Sequence, residues 1–234
     1  MIGIGIGIPY RSGAGGGGAA PPFLRYDFTG NMFQGTDETT PVTTASDPVG
    51  RINSTGQDDR PLTQGTAGSK PTWNGTDAIT LDGSNDWLET RNYTDMPDPD
   101  SLILNWRGTV SDISTSPAIY SHTRISGNGF FNIQMMRDGD LRCEMRPIAG
   151  SPILRVDLNQ YTHVAGARVA ITLAFHDGVL DYYVNGIEQA TGVAFDQSNA
   201  TAYEVVAIGC RAVNGGAVVP MPGEIEFVSI EAYS

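Results

Sequence analysis

The chain has 234 residues, 40% of them hydrophobic and 17% charged, with 29 Gly, 14 Pro and a formal net charge of −12. That apolar share supports one large or two small packed domains, and the acidic balance argues against nucleic acid or an anionic membrane as partner, since both call for a basic face. Turn formers are plentiful, charges sparse and helix formers few, with Lys70 the single lysine, so the composition points to an all-β protein.

The chain opens "MIGIGIGIPYRSGAGGGG". The period of two is that of a strand, and it places Ile2, Ile4, Ile6 and Ile8 on one face with glycines on the other. The run is too short to span a bilayer, which takes about 20 apolar residues, and without a basic flank it reads poorly as a secretory signal. Glycine weakens an isolated strand, so residues 1–11 read either as a floppy tail or as an assembly arm that gains order by docking on a neighbour, and the arm is the expectation carried forward. Residues 12–22, "SGAGGGGAAPP", read as a linker, flexible first and stiffer at the Pro pair, and residues 23–234 as the globular domain.

Residues 29–72 are rich in Thr, Gly, Asp and Pro and predict long loops with short strands. "DAITLDGSNDWLET" predicts a strand around Ile79 and Leu81, a tight turn over 82–86 and a second strand at Trp87-Leu88. In "GFFNIQMMRDGDLRCEMRP", Phe131, Ile133 and Met135 alternate with polar residues, as do Leu141, Cys143 and Met145, and Asp138-Gly139 between them signals a two-residue type I′ hairpin. "RVAITLAFHDGVLDYYVNGIEQATG" repeats the pattern with turns at Asp177-Gly178 and Asn185-Gly186, giving a three-strand antiparallel meander. "AYEVVAIGC" and "GEIEFVSIEAY" are the last strands; in the second, the apolar parity slips between Ile225/Phe227 and Val228/Ile230, which signals a bulge or a strand buried on both faces. No stretch has capped helical periodicity, and Cys143 and Cys210 lack metal spacing and read as buried free thiols. The expected fold is all-β, a two-sheet antiparallel β-sandwich with an extended N-terminal arm.

"DAITLDGSNDWLET", the "DG"-then-"YVNG" meander and "AIGCRA…GEIEFVSIEAYS" together resemble laminin-G-like, concanavalin A-like jelly-roll domains. "SDPVGRINSTGQDDRPLTQGTAGSKPTW" is similar to a segment preceding that core in bacteriophage structural proteins, with Ile52 where a tryptophan is usual. The resemblance covers roughly residues 23–234 and implies a jelly roll. It leaves function open among lectins, glucanases, adhesion modules and virion parts.

Concanavalin-like glucanases carry an E-x-D-x-x-E strand; here "EIEFVSIE" offers Glu224 and Glu226, with Ser229 at the third acidic position. There is no G-x-S-x-G elbow, and His122, His163 and His176 are scattered, the last read as a solvated turn residue. No catalytic residue is assigned. Calcium is the one cofactor considered, because laminin-G-like domains hold it in Asp-lined loops; its candidate ligands are Asp82 and Asp86, or Asp95, Asp98 and Asp100, against the plainer reading of turn formers. Trp73, Trp87, Trp106 and Tyr120 are the aromatics available to a sugar, though in a sandwich such residues more often fill the core.

The expectation is a non-enzymatic virion structural protein of a tailed phage or phage-like particle. It would be assembled in the host cytoplasm, attached to other virion proteins by its arm, and displayed as a homo-oligomer, with a trimer favoured. The alternative is a module that binds host surface polysaccharide, and a glycan-cleaving enzyme ranks below both.

Overall fold

The computed structural model describes residues 22–91, 100–123, 129–147, 151–196, 204–213 and 216–233. In chain order the strands are β1 (Leu24–Asp27), β2 (Met32–Phe33), β3 (Arg51–Ile52), β4 (Leu62–Thr63), β5 (Thr72–Trp73), β6 (Ile79–Asp82), β7 (Leu88–Arg91), β8 (Ser101–Val110), β9 (Ala118–Thr123) and β10 (Phe130–Met135). They continue as β11 (Leu141–Arg146), β12 (Leu154–Leu158), β13 (Arg168–His176), β14 (Val179–Val184), β15 (Ile187–Ala194), β16 (Val205–Ile208), β17 (Arg211–Val213), β18 (Gly216–Val218) and β19 (Pro222–Ala232). One 3₁₀ turn, Ala67–Ser69, is the helical element among the described residues.

The strands form two large antiparallel sheets. An eight-stranded sheet runs β15-β14-β13-β8-β19-β6-β5, with β1 also paired to β19; a nine-stranded sheet runs β12-β11-β10-β9-β16-β7-β4-β3-β2; and β17-β18 make a small hairpin. Alternation drives the assembly. In β13 and β14, Val169, Ile171, Leu173 and Phe175 and then Leu180, Tyr182 and Val184 point inward and are buried. They meet Phe131, Ile133, Leu141, Cys143 and Met145 from the opposite sheet in one continuous core. Phe131 and Phe175 cross edge to face with centroids 5.4 Å apart, and Phe195 lies 6.3 and 5.8 Å from them, joining the sheets through aromatic contact. Cys143 and Cys210 are buried free thiols whose ionisation burial pushes up.

The turns separate two cases that look alike in sequence. Asp177 and Gly178 (φ 50° and 75°) and Asn185 and Gly186 (φ 51° and 77°) are left-handed at both central positions. Each of these predicted turns is thus type I′, a type the sequence reading assigned only to Asp138-Gly139, and they close His176↔Val179 and Val184↔Ile187. Asp138-Gly139 is not. Only Gly139 is left-handed (φ 91°), its N–H bonds Met136 O, and Met136 N–H bonds Asp140 O. That makes a longer loop closing Met135↔Leu141. Gly139 cannot carry a side chain, because a Cβ there would sit 2.6 Å from Thr162 and 2.7 Å from the His163 carbonyl.

Ile52, at the position where the resemblance leads one to expect a tryptophan, is fully buried in β3 and paired with Met32 and Leu62. The predicted parity slip in the last strand is a bulge between Ile225 and Phe227 on the β8 side. It falls where the neighbour on the other side of β19 changes from β6, which pairs residues 222–225, to β1, which pairs 227–230. The arm residues Ile2, Ile4, Ile6 and Ile8 and the linker up to residue 21 lie outside the described residues.

Candidate functional site

Two polar faces remain outside the core. On the eight-stranded sheet, Glu226 sits at the bulge, 7% exposed, and accepts hydrogen bonds from Arg107 Nε (2.8 Å) and Arg168 Nε (2.5 Å). Phe227 beside it lies under the guanidinium groups of Arg25 and Arg107 at 5.3 and 5.8 Å. The bulge therefore takes Glu226 out of plain alternation with Glu224 and ties it to two arginines, so "EIE" does not present a free acid beside a free base. His176, read from the sequence as solvated, is half-buried instead: its Nε2 is 3.0 Å from Asp181, and its ring stacks on Tyr233 at 4.3 Å.

The outer face of the nine-stranded sheet is the more unusual. Its cross-strand register lines up Glu89 (β7), Ala207 (β16), Ser121 (β9), Asn132 (β10), Glu144 (β11) and Arg155 (β12) in one row. The next row is Arg91, Val205, Thr123, Phe130 and Arg146. After β16 the chain turns at Gly209-Cys210, where Ser121 Oγ donates to Cys210 O at 3.0 Å, and Arg211 is carried over Phe130. A small apolar cluster of Trp87, Val205, Ala207 and Cys210 seats this return.

Polar groups on this face are buried without full satisfaction. Asn132 is 0% exposed, and neither its amide nitrogen nor its amide oxygen has a hydrogen-bond partner among the described residues. Glu89 is bound by Arg91 through one oxygen, leaves Oε2 unpartnered, and burial pushes its carboxyl up from the usual range. The Nε groups of Arg146 and Arg211 are buried and unpartnered as well, while both guanidinium carbons lie over the Phe130 ring at 5.4 and 5.1 Å. An unmade buried hydrogen bond costs about 1–3 kcal/mol, and such costs persist where function uses the exposed valence. Glu144 is different: it is 6% exposed and bonded to Arg155 at 2.7 Å.

Hydrolysis fits this face poorly. Glu89 and Glu144 stand four strand spacings apart in the sheet order, roughly 19 Å at the usual spacing, whereas a glycosidase pair needs about 5–9.5 Å. What the face offers is an aromatic ring, two cationic forks and an amide, which is recognition chemistry.

The calcium candidates separate. Asp82 Oδ1 accepts from Ser84 and Asn85 N–H (2.7 and 3.2 Å), and Asp86 Oδ2 accepts from Asp82 N–H (3.1 Å), so both carboxylates build the turn. Asp100 accepts from Gly178 N–H at 3.2 Å, at the opposite end of the eight-stranded sheet from Asp82. Asp95 and Asp98 lie outside the described residues. Among the described residues no group of three or more His, Cys, Asp or Glu is placed to hold a metal.

The aromatics picked from the sequence do not line a site. Trp106 and Tyr120 are core residues, Trp87 belongs to the small outer cluster, and Trp73 is half-buried with its indole N–H on Phe28 O at 3.3 Å. The sequence reading passed over Phe130, Asn132, Arg146 and Arg211. A faint signal existed: Phe130 and Asn132 alternate with the apolar Phe131 and Ile133 on a strand whose other face is core.

No family model matches the chain, and no curated protein matches it either. Among solved structures, the sialidase CBM40 of Ruminococcus gnavus bound to α2,3-sialyllactose is similar at TM-score 0.54 and 15% identity, over 68% of this chain and 92% of that one. The SAP-like pentraxin of Limulus polyphemus is similar at TM-score 0.51 and 17% identity, over 68% and 78%. The K499G mutant of NanB sialidase from Streptococcus pneumoniae matches at TM-score 0.50 and 17% identity over 59% of this chain, which spans 23% of the sialidase. At these identities the likeness is one of fold: an all-β, two-sheet antiparallel sandwich of the concanavalin A-like jelly-roll kind.

Proposed function

We propose that this jelly roll is a non-enzymatic carbohydrate-binding module whose ligand lies on the outer face of the nine-stranded sheet. The observation that carries the reading is Asn132, buried with both amide atoms unpartnered and flanked by Phe130 under two arginines. Phe130 seats the two guanidinium groups at the surface, and forked donors and an amide suit the hydroxyls and acidic groups of a saccharide. The similarity to a CBM40, itself described with a sialyllactose, supports the same reading from the side of fold.

A glycan array tests it. The protein should retain a defined subset of saccharides, and Phe130→Ala should lose them while keeping its melting temperature within a few degrees. An array on which nothing is retained, or retention indifferent to Phe130→Ala, ends the reading.

A second reading is compatible with the first and rests on the alternating Ile-Gly start and its Gly/Pro tract. In it the module is a virion structural protein of a tailed phage or phage-like particle, docked by Ile2, Ile4, Ile6 and Ile8 and displayed as a homo-oligomer toward the host surface. Chain lacking residues 1–10 should fold but stay out of particles; normal incorporation would reject the arm's role.

A further inference from the structure

The overall charge of −12 is not spread evenly over the molecule. On the outer face of the nine-stranded sheet the described charges are Arg51, Arg91, Arg142, Arg146, Arg155 and Arg211 against Glu89, Glu144 and Asp157. Arg91 is bound to Glu89, Arg155 to Glu144, Arg142 to Asp157 at 2.6 Å, and Arg51 to Glu38 from the neighbouring loop. Arg146 and Arg211 are left over. Neither forms an ion pair among the described residues, both hold a buried unpartnered Nε–H, and both are carried by the same phenyl ring from different strands, β11 and β17.

This pairing is costly without an anion. Two guanidinium groups over one ring repel each other, and stacking on Phe130 offsets only part of that, because an exposed cation–π contact contributes about 0.5–1 kcal/mol. A carboxylate accepts two parallel N–H bonds from a guanidinium fork, so one placed against the partly exposed guanidinium groups of Arg146 and Arg211 would neutralise both. On a strongly acidic molecule, a local excess of positive charge also draws an anionic ligand to this spot and away from the rest of the surface.

We infer that the ligand is an acidic saccharide, its sugar carboxylate paired with the guanidinium groups of Arg146 and Arg211 that Phe130 seats. This rests on the carbohydrate reading above and adds the class of sugar. The chemistry is shared by uronic acids and nonulosonic acids, and the test includes both.

Binding of the full chain is measured to immobilised polygalacturonate and to colominic acid, each beside its carboxyl-reduced counterpart, with polyglutamate as a non-saccharide polyanion. The expected result is at least tenfold tighter binding to one acidic polymer than to its reduced form. That preference should weaken with added salt and be lost in Arg146→Gln and in Arg211→Gln. Arg142→Gln, which alters an already neutral pair, should leave it intact. Equal binding to acidic and reduced polymers overturns the acidic assignment and leaves the carbohydrate reading standing. Equal binding to polyglutamate overturns the saccharide part and leaves a generic anion site. Absence of binding to every polymer overturns both. Circular dichroism of the two Arg→Gln variants shows whether any loss is local: an unfolded variant is replaced by Arg→Lys at the same position, which keeps charge without the bidentate fork and should lose most of the affinity.

Discussion

Asn132 occupies a place where an apolar side chain of similar volume would satisfy the sheet better. Its amide is buried with no partner, so Asn132→Leu removes a desolvated polar group rather than a hydrogen bond. We expect that variant to be as stable as the parent or up to about 1 kcal/mol more stable in urea unfolding, and to lose saccharide binding. A large fall in stability would mean that the amide serves the fold. The buried histidines give a second residue-level expectation. Burial lowers His122 to about 3 and His163 to about 4 from an ordinary value near 6.5. Their hydrogen bonds run to Tyr120 and Tyr182. The unfolded chain therefore binds more protons than the folded one between about pH 6.5 and 4, so their share of stability is full above 6.5 and is lost as pH falls. Asp86 acts in the opposite sense. Desolvation raises it to about 6 from 3.8, so between those values the folded state holds the extra proton and stability declines with rising pH. Urea midpoints at pH 7, 5.5 and 4.5 should fall on acidification, the fall should shrink in His163→Gln, and Asp86→Asn should gain about 1 kcal/mol at pH 7 and nothing at pH 3.5.

The pairing of β8 with β19 is the element on which the larger sheet depends, and two glycines permit it. A Cβ on Gly108 would lie 2.1 Å from the Glu224 carbonyl and 2.9 Å from the Trp106 ring; one on Gly223, itself at φ 140°, would lie 2.0 Å from the Thr109 carbonyl. Backbone meets backbone from both strands on the Gly223–Ile225 side of the bulge, so neither carbonyl can readily give way. Gly108→Ala should cost more than about 2 kcal/mol by chemical unfolding, whereas Gly68→Ala, with open space around it, should be neutral. Equal stability of the two variants would show that the ladder relaxes around the added methyl. At the same scale, "DG" in the sequence carries a turn but not its type. Asp177-Gly178 and Asp138-Gly139 are the same dipeptide, yet only the first is type I′, because the chain after Asp138 is held by Met136 and by the Thr162 methyl and the His163 backbone packed on Gly139.

For the molecule as a whole, the core is closed by residues from 24 onward, with Leu24, Tyr26 and Phe28 fully buried against it. Removal of residues 1–21 should therefore leave the melting temperature within about 2 °C of the parent, because Leu24, Tyr26, Phe28 and the core they close are all retained. A fall of ten degrees would mean that the leading segment is part of the fold. The sandwich also allows the two proposed roles, carbohydrate recognition and attachment to a particle, to be compatible. The two sheets turn opposite faces outward, one bearing Arg107, Arg168 and Glu226 and the other Phe130, Arg146 and Arg211, so a face is left for a ligand whichever end of the chain is anchored.

The sequence by itself determined the strands around Ile79 and Leu88, the 131–145 hairpin, the meander, the last strands with an irregularity in the final one, and the burial of both cysteines; it did not mark the strands Ser101–Val110, Ala118–Thr123 and Leu154–Leu158. Each feature so determined follows from alternation and turn chemistry within a few residues, which are local properties. It could not determine that the strand at Ile79 and the strand at Leu88 enter different sheets, nor that Glu89, Ser121, Asn132 and Glu144 share a row. It equally left unmarked that Arg211 returns over a ring 81 positions earlier in the chain, at Phe130. Those placements come from pairing between distant segments, where the hydrophobic core fixes each strand's position and the outward side chains are brought together as a consequence.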